Sequence, residues 1–337
     1  MSLPAKSFVC SRRFCRYPRM MRIRIFPAGL ASLLGLMLLL TGCAVETPTT
    51  SSASLSSSNS KNGGPTVAGT EVAPAKSSSL WPQGEGQAQR RGQAGAPPPI
   101  RAVSAILIDA RTGETLYQKN ADEPRQVAST QKLVTALIVA EQDPLDEPVR
   151  VDHQDTIVEP TKVGIHSGEH YTRRQLLSAM LVHSANDCAA ALARAHSGSL
   201  AEFSGEMNRL AQRCGTTCSH FVNPHGLPAQ QHSTARDMAR IAFRAYHNPD
   251  LREAMAMRSY CFRYASGRLC NLEPTNKLLI RSPFFNGMKT GYTEAAGKCL
   301  ISSYSRSGRE LILVQLGSRS RYIFDDAQHI IGWAAGS

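Results

Sequence analysis

The sequence predicts an α+β fold in which an antiparallel sheet is covered by helices and carries an inserted, mostly helical subdomain. Strand patterns occur near both ends of the folded region, at residues 102–109, 115–118, 285–289, 299–304 and 310–316. Helical periodicity and composition fill the middle, at residues 172–195, 199–213 and 233–246. Strands that enclose a helical middle indicate one sheet built from the two ends of the domain.

The remaining segments complete this outline. Residues 110–114 predict a turn between the first two strands, because they contain Gly113 between two strand-like runs. Residues 247–284 are polar and without clear periodicity, and we expect irregular structure there. Residues 322–333 predict a last helix.

The first 42 residues have the layout of an export signal. Seven basic residues and no acidic ones fall in this segment, and an apolar run extends from residue 23 to residue 40. The run ends in Leu40-Thr41-Gly42-Cys43, which resembles the cleavage and lipidation box of bacterial lipoproteins. We therefore expect a signal peptide at 1–42 and a lipid-modified Cys43. A retained membrane helix, or a signal cleaved without lipidation, is the alternative.

Between this signal and the folded region lies a segment poor in large apolar residues. Residues 44–99 consist mainly of Ser, Thr, Gly, Pro, Ala and Gln. Such a composition cannot bury enough surface to offset its ordering entropy, so we expect a disordered tether at 43–99 and a folded domain at 100–337. The net charge of +12 lies mostly in the first 42 residues. The rest of the sequence has no basic stripe interleaved with aromatic residues, so we expect no nucleic-acid binding.

Ser129 and Lys132 form the first candidate catalytic pair. They open an apolar run that extends to Leu137, and residues three apart share one face of a helix. A serine hydroxyl needs a nearby base to become a nucleophile, and lysine is such a base only if burial or a second cation lowers its pKa. The start of a helix also offers unpaired N–H groups to a developing oxyanion. The spacing alone is common.

Two further motifs carry candidate site residues. Ser184 and Asn186 lie inside the apolar segment 176–192, where unpartnered polar groups are costly to bury. They indicate either a helix-end turn or a proton relay beside an amide that holds a substrate. Lys289, Thr290 and Gly291 lie at the end of a strand pattern. A lysine and a hydroxyl at a strand edge can bind a carboxylate, and glycine lets a ligand backbone approach closely.

Together, these motifs resemble those of the serine-type D-alanyl-D-alanine carboxypeptidases, the low-molecular-mass penicillin-binding proteins. The order Ser-x-x-Lys, Ser-x-Asn and Lys-Thr-Gly is the one known for penicillin-binding proteins and class A β-lactamases. Further segments that resemble the family are residues 168–172, 184–187, 221–227, 233–239 and 289–293. The resemblance covers residues 103–333. It implies the transpeptidase fold that these proteins share with serine β-lactamases.

The resemblance implies a role for each catalytic residue. Ser129 is the nucleophile, and Lys132 is its general base. Ser184 passes a proton to the leaving amine, and Asn186 orients the peptide. The implied reaction is hydrolysis of peptidoglycan stem peptides ending in D-alanyl-D-alanine, through an acyl-serine intermediate, with β-lactams as covalent inhibitors and without a cofactor.

The same resemblance implies a substrate-binding strand. Lys289 and Thr290 bind the terminal carboxylate, and Lys289 also helps to keep Lys132 neutral. Gly291 leaves room for the ligand backbone, and the N–H group of Tyr292 joins that of Ser129 in the oxyanion hole. The implied location is outside the cytoplasm, lipid-anchored to a bacterial membrane and facing the periplasm or cell wall.

Alternative functions share the acylation step or only the pocket. Endopeptidase cleavage of cross-bridges uses the same residues. A non-catalytic penicillin-sensing or wall-binding lipoprotein keeps only the pocket. A class A β-lactamase needs a deacylating glutamate with asparagine four residues later, a pattern that none of five glutamates shows: Glu169, Glu202, Glu206, Glu253 and Glu273. His166 and His170 enclose Gly168 and lack a third ligand, so we expect no metal site.

Six cysteines lie beyond Cys43 in the chain, and export permits disulfides among them. Cys261 and Cys270 flank a predicted turn, so we expect a bridge between them. Cys188 and Cys299 lie in apolar segments beside the site motifs, and we expect buried thiols there.

Overall fold

Five antiparallel strands form the central sheet of the computed structural model, which describes Trp81, residues 95–319 and residues 321–336. The strands in chain order are β1 (Ser104–Asp109), β2 (Thr115–Lys119), β3 (Pro148–Arg150), β4 (His170–Thr172), β5 (Tyr260–Arg263), β6 (Leu269–Leu272), β7 (Phe285–Thr293), β8 (Gly297–Arg306) and β9 (Arg309–Ser318). The central sheet has the order β2-β1-β9-β8-β7, while β3 pairs with β4 and β5 with β6. The two ends of the domain therefore meet in one sheet, as the sequence predicts.

Helices cover both faces of this sheet. They are α1 (Lys132–Gln142), α2 (His153–Thr156), α3 (Arg173–His183), α4 (Asn186–Ser197), α5 (Leu200–Arg213), α6 (Ala235–His247), α7 (Pro249–Ala256), α8 (Leu278–Arg281) and α9 (Ile323–Ala335). All but α9 lie between β2 and β7 in the chain. The predicted α+β class with an inserted helical subdomain is confirmed.

Side chains along the strands point alternately to the two faces of the sheet, and both faces pack against an apolar core. On β1, Ala105 and Leu107 belong to a core that includes the buried face of α9. Ile106 and Ile108 belong to the larger core of the inserted helices. Successive side chains of a strand point to opposite faces, so a strand buried on both faces is apolar at every position. The sheet is thus fixed between two apolar layers.

The predicted continuous helix at 172–195 is wrong at one point that matters for the site. Thr172 caps α3, since its side chain accepts a hydrogen bond from the Gln175 N–H group and the Gln175 side chain accepts one from the Thr172 N–H group. The helix ends at Ser184, which adopts a left-handed conformation with φ 65°. A second helix, α4, starts at Asn186. Periodicity does not reveal this break, because apolar residues continue on both sides of it.

Two other predictions need correction in the segment after α6. The stretch 247–284 contains α7, the β5–β6 hairpin and α8 rather than only irregular structure. The expected disulfide between Cys261 and Cys270 is wrong: Cys261 pairs with Asn271, while Cys270 pairs with Phe262. The two thiols therefore leave the hairpin on opposite faces. The prediction of buried thiols at Cys188 and Cys299 is confirmed.

The expected signal peptide at 1–42, Cys43 and most of the expected tether at 43–99 lie outside the described residues. Trp81 is described, and its ring packs edge-on against Phe243 of α6 with 5.5 Å between centroids. Arg240 lies over the same ring. Among the residues that the structure describes, no helix combines the length and apolarity needed to cross a membrane.

Candidate active site

Ser129 lies in a tight 3-10 turn, Ala128–Gln131, immediately before α1. Ala128 opens the turn with a positive φ of 49°, which is uncommon for a residue with a side chain. The Ser129 hydroxyl oxygen lies within hydrogen-bonding distance of Lys132 Nζ, at 2.8 Å, and of the carbonyl oxygen of His225, at 3.2 Å. Ser129 is partly exposed, whereas Lys132 is completely buried.

Two glycines pack closely against this turn. Gly226, with φ 85°, packs so closely that a Cβ there would overlap the carbonyl group of Ala128. Gly291 on β7 approaches from the sheet, and a Cβ there would lie 2.8 Å from the Ser129 nitrogen. Both positions therefore require glycine for close approach of two backbones. The Ser129 N–H group consequently lies beside β7, close to the position of Tyr292 in the strand.

The amine of Lys132 is completely buried and has three polar partners. They are Ser129 Oγ at 2.8 Å, Asn186 Oδ1 at 2.6 Å and the carbonyl oxygen of His225 at 2.6 Å. A carbonyl and an amide oxygen only accept hydrogen bonds. A neutral amine has two N–H donors and one lone pair. If both donors serve these two oxygens, the lone pair is directed at the Ser129 hydroxyl, which is the arrangement a general base requires.

The Asn186 amide is held in the orientation that this arrangement needs. Its Nδ2 donates to the carbonyl oxygen of Glu159 at 2.8 Å, so its Oδ1 faces Lys132. The Asn186 backbone N–H group donates to the carbonyl oxygen of Thr161 at 2.7 Å. The short break between α3 and α4 makes both contacts possible, because it places Asn186 at the first turn of a new helix.

Electrostatics favour a neutral Lys132. Burial and, as a second cause, the charge of Lys289 hold the pKa of Lys132 well below its usual 10.5. Burial also lowers the pKa of Lys289 to about 7. The ring of His225 does not add charge, since burial first and Lys132 second lower its pKa to about 3. The protein thus supplies a lysine that loses its proton at a lower pH than an ordinary lysine does.

The remaining predicted residues lie on β7 and at the helix break. Lys289 Nζ donates to Ser184 Oγ at 2.8 Å, which links the strand to the left-handed residue between α3 and α4. The Thr290 hydroxyl donates to that of Thr275 at 2.6 Å. Tyr292 is 66% exposed beside them. The structure therefore forms two hydrogen-bonded groups from the predicted residues, one of Ser129, Lys132 and Asn186 and one of Lys289 and Ser184.

Sequence reasoning gave no separate role to three groups that complete this site. The carbonyl group of His225 carries no sequence signal of its own, because every residue has one. Gly226 comes after a proline and a histidine in a segment that indicates a turn, but its contact with Ala128 depends on the fold. Thr275 lies in the segment predicted to be irregular. All three act through tertiary contacts.

We expect Gly291→Ala to slow acylation of Ser129 strongly. The added methyl group would lie 2.8 Å from the Ser129 nitrogen and 3.0 Å from the Thr130 nitrogen, so strand and turn must move apart. Loss of one oxyanion-hole donor costs about 10²–10³ in rate, and we expect a loss of that order in the second-order rate of penicillin acylation. Gly205→Ala on α5, which meets only side-chain atoms of Arg209, is the control with the wild-type rate. A wild-type rate in Gly291→Ala would contradict this account.

The pH dependence of acylation should report the charge of Lys289. Only neutral Lys132 is a base, so the rate rises with pH as Lys132 loses its proton. The charge of Lys289 lowers the pKa of Lys132. Lys289→Ala removes that charge, so the acid limb of the pH–rate profile should move to higher pH, whereas Lys289→Arg should leave it near the wild-type position. An acid limb that does not move in Lys289→Ala would show that the charge of Lys289 does not lower the pKa of Lys132.

Comparison with known proteins agrees with this geometry. The model of a family described as D-alanyl-D-alanine carboxypeptidase matches residues 91–320. The D-alanyl-D-alanine endopeptidase of Escherichia coli (strain K12) is 30% identical over 244 residues, which cover 70% of this chain and 78% of that protein.

Solved structures give the same result. The D-alanyl-D-alanine carboxypeptidase from Mycobacterium tuberculosis H37Rv superposes with a TM-score of 0.69 at 30% identity, covering 73% of this chain and 95% of that one. The Streptomyces K15 DD-transpeptidase has a TM-score of 0.69 at 29% identity and covers 72% of this chain and 100% of its own. The family predicted from the sequence motifs is thus confirmed, and the chain belongs to the D-alanyl-D-alanine carboxypeptidase family.

Proposed function

We propose that this protein is a serine-type D-alanyl-D-alanine carboxypeptidase that acts on peptidoglycan stem peptides through an acyl-serine intermediate. The observation that carries the proposal is the buried Lys132 amine, which lies 2.8 Å from Ser129 Oγ and contacts two oxygens that can accept both N–H groups of a neutral amine. The similarity to proteins named carboxypeptidase, endopeptidase and transpeptidase supports the same acyl-transfer chemistry.

Acylation starts with proton transfer from the Ser129 hydroxyl to Lys132. The oxygen attacks the carbonyl carbon of the penultimate D-alanine, and the N–H groups of Ser129 and Tyr292 stabilise the oxyanion that forms. The C–N bond then breaks, and the proton that Lys132 accepted passes through Ser184 to the leaving amine, which leaves Lys132 neutral again. Lys289 lies 2.8 Å from the Ser184 hydroxyl and orients this relay. Water hydrolyses the acyl-serine, with Lys132 again as the base.

Substrate binding uses β7, an edge strand of the sheet. An extended peptide pairs with such an edge through main-chain hydrogen bonds. Thr290, and Lys289 close to it, bind the terminal carboxylate. That Asn186 orients the peptide stays a prediction, because its buried amide contacts Lys132 and the Glu159 carbonyl oxygen. The exposed ring of Tyr292 borders the entrance.

We expect penicillin to label Ser129 covalently and the adduct to be long-lived, since the chain has an acylation set without the glutamate pattern of class A β-lactamases. Lys132→Ala should reduce both penicillin acylation and release of D-alanine from a pentapeptide, because general-base catalysis contributes about 10²–10⁴-fold. Peptide mapping by mass spectrometry and product analysis measure the two effects. A label on another residue, or wild-type acylation of Lys132→Ala, would refute the mechanism. Acylation without any peptide hydrolysis would point to a penicillin-sensing lipoprotein instead.

Endopeptidase activity is a second candidate, favoured by the similarity to the Escherichia coli endopeptidase over 78% of its length. The two activities share acylation and differ in the leaving group. Incubation with pentapeptide and with cross-linked muropeptides, then mass spectrometry of the products, separates them. If D-alanine is the only product released, the protein is a carboxypeptidase. If cross-linked dimers are converted to monomers, it is an endopeptidase.

We further propose that the protein is exported and anchored by a lipid on Cys43, on the basis of the box Leu40-Thr41-Gly42-Cys43. The expected result for Cys43→Ala is loss of firm membrane association, measured by fractionation of cells that express each form. Ser129→Ala, which leaves the box intact, is the control. A processed Cys43→Ala protein that stays as firmly membrane-bound as the wild type would refute the anchor.

A further inference from the structure

Asp187, the residue after Asn186, is a completely buried carboxylate held by backbone N–H groups. Its oxygens accept hydrogen bonds from the N–H groups of Gly164 at 2.8 Å, Val163 at 3.2 Å and Ile165 at 3.4 Å. A fourth bond comes from the Cys188 N–H group at 2.9 Å. In the described part of the chain, no lysine, arginine or histidine forms a salt bridge with it. A buried acidic group of this kind needs such donors to offset its lost hydration.

Asn186 and Asp187 together hold one segment, residues 159–165, which we call the 159–165 loop. Asn186 donates hydrogen bonds to two carbonyl oxygens of the loop, those of Glu159 and Thr161. Asp187 accepts hydrogen bonds from the loop N–H groups at 163–165. Two adjacent residues at the start of α4 thus bind both kinds of backbone group in the same loop. The Tyr264 hydroxyl adds a bond to the Val163 carbonyl oxygen at 2.6 Å.

A simpler role for Asp187 would be to stabilise the start of α4, because acidic residues in the first turn of a helix interact favourably with its dipole. The contacts argue for more than this. Three of the four donors belong to the 159–165 loop, and only the Cys188 N–H group belongs to the helix. The carboxylate therefore binds mainly a segment that is 22 to 24 residues earlier in the chain.

The side-chain amide of Asn186 links the 159–165 loop to the catalytic base, Lys132. Glu159, at its start, fixes Asn186 Nδ2, and this contact leaves Asn186 Oδ1 facing Lys132. We propose that Asp187 is a positioning residue for the catalytic base, which fastens the 159–165 loop against Asn186 and so keeps the amide in the orientation that directs the Lys132 lone pair to Ser129. This inference rests on the proposed role of Lys132.

The charge of Asp187 also acts on Lys132, and in a defined direction. The groups that face Lys132 from neighbouring elements are Ser129 on its own turn, Asn186, Asp187 and Cys188 on α4, Lys289 on β7, and His225 in the loop before α6. Lys289 lowers the pKa of Lys132, whereas Asp187 raises it. Loss of the Asp187 charge should therefore let Lys132 remain neutral at lower pH.

The test measures penicillin acylation against pH, together with hydrogen exchange of the backbone amides at 163–165, in folded Asp187→Asn. We expect faster exchange at these amides, a plateau rate lower by about 10- to 100-fold because small misplacements of reacting groups cost of that order, and an acid limb moved to lower pH. A stabilising role alone predicts neither the lower plateau nor the moved limb. A wild-type plateau, or an unmoved limb, would overturn the inference.

Asp326→Asn is the matched control. Asp326 on α9 is also buried and also accepts a backbone N–H bond from a distant segment, at Arg101, but it lies in the core on the other face of the sheet. We expect lower stability with a wild-type plateau and acid limb. If Asp187→Asn does not fold, Asp187→Glu keeps the charge with a longer reach. It should keep the acid limb and lower the plateau, and a wild-type plateau there would overturn the inference.

Failure of the proposed function gives a different pattern. Wild-type acylation in Lys132→Ala would show that Lys132 is not the base. The proposed function and the role of Asp187 would then fail together, whatever the result for Asp187→Asn. Loss of acylation in Lys132→Ala together with a wild-type plateau in Asp187→Asn contradicts only the role of Asp187.

Discussion

The burial of a single primary amine determines how the surrounding elements are arranged. A charged ammonium group without water is unfavourable, so the fold favours the neutral form of Lys132 and must then satisfy two N–H donors and one lone pair. The backbone segments around the amine adopt uncommon conformations. Ala128 has φ 49°, Ser184 has φ 65° and Gly226 has φ 85°. Such conformations cost about 1–3 kcal/mol each at residues with side chains and persist only where the surrounding structure imposes them.

The α+β architecture supplies that surrounding structure. The sheet lies between two apolar cores, so β7 is a fixed edge that presents Lys289 and Gly291. The inserted subdomain presents Ser129 and Asn186 from the starts of two helices. The site lies where the two meet, and each part contributes groups that the other cannot replace. Their relative position therefore sets the distance from the catalytic pair, Ser129 and Lys132, to the strand β7.

The sequence reveals the chemistry of this site better than its geometry. Period and composition locate the strands of the sheet and the longer helices, and motif order places Ser129, Lys132 and Lys289 in one site. The break at Ser184 is not visible, because the apolar pattern continues through it. Short elements such as the β5–β6 hairpin lack a detectable period. The His225 carbonyl group and the Asp187 contacts depend on segments that meet only in three dimensions.

The central claim is that burial makes Lys132 a neutral amine at a pH well below its ordinary pKa of 10.5. Nuclear magnetic resonance titration of the side-chain nitrogen of lysine, with Lys132 assigned by comparison with Lys132→Arg, measures this directly. The account predicts a titration midpoint for Lys132 well below the ordinary lysine value of 10.5. An ammonium signal for Lys132 that persists above pH 10 would contradict it.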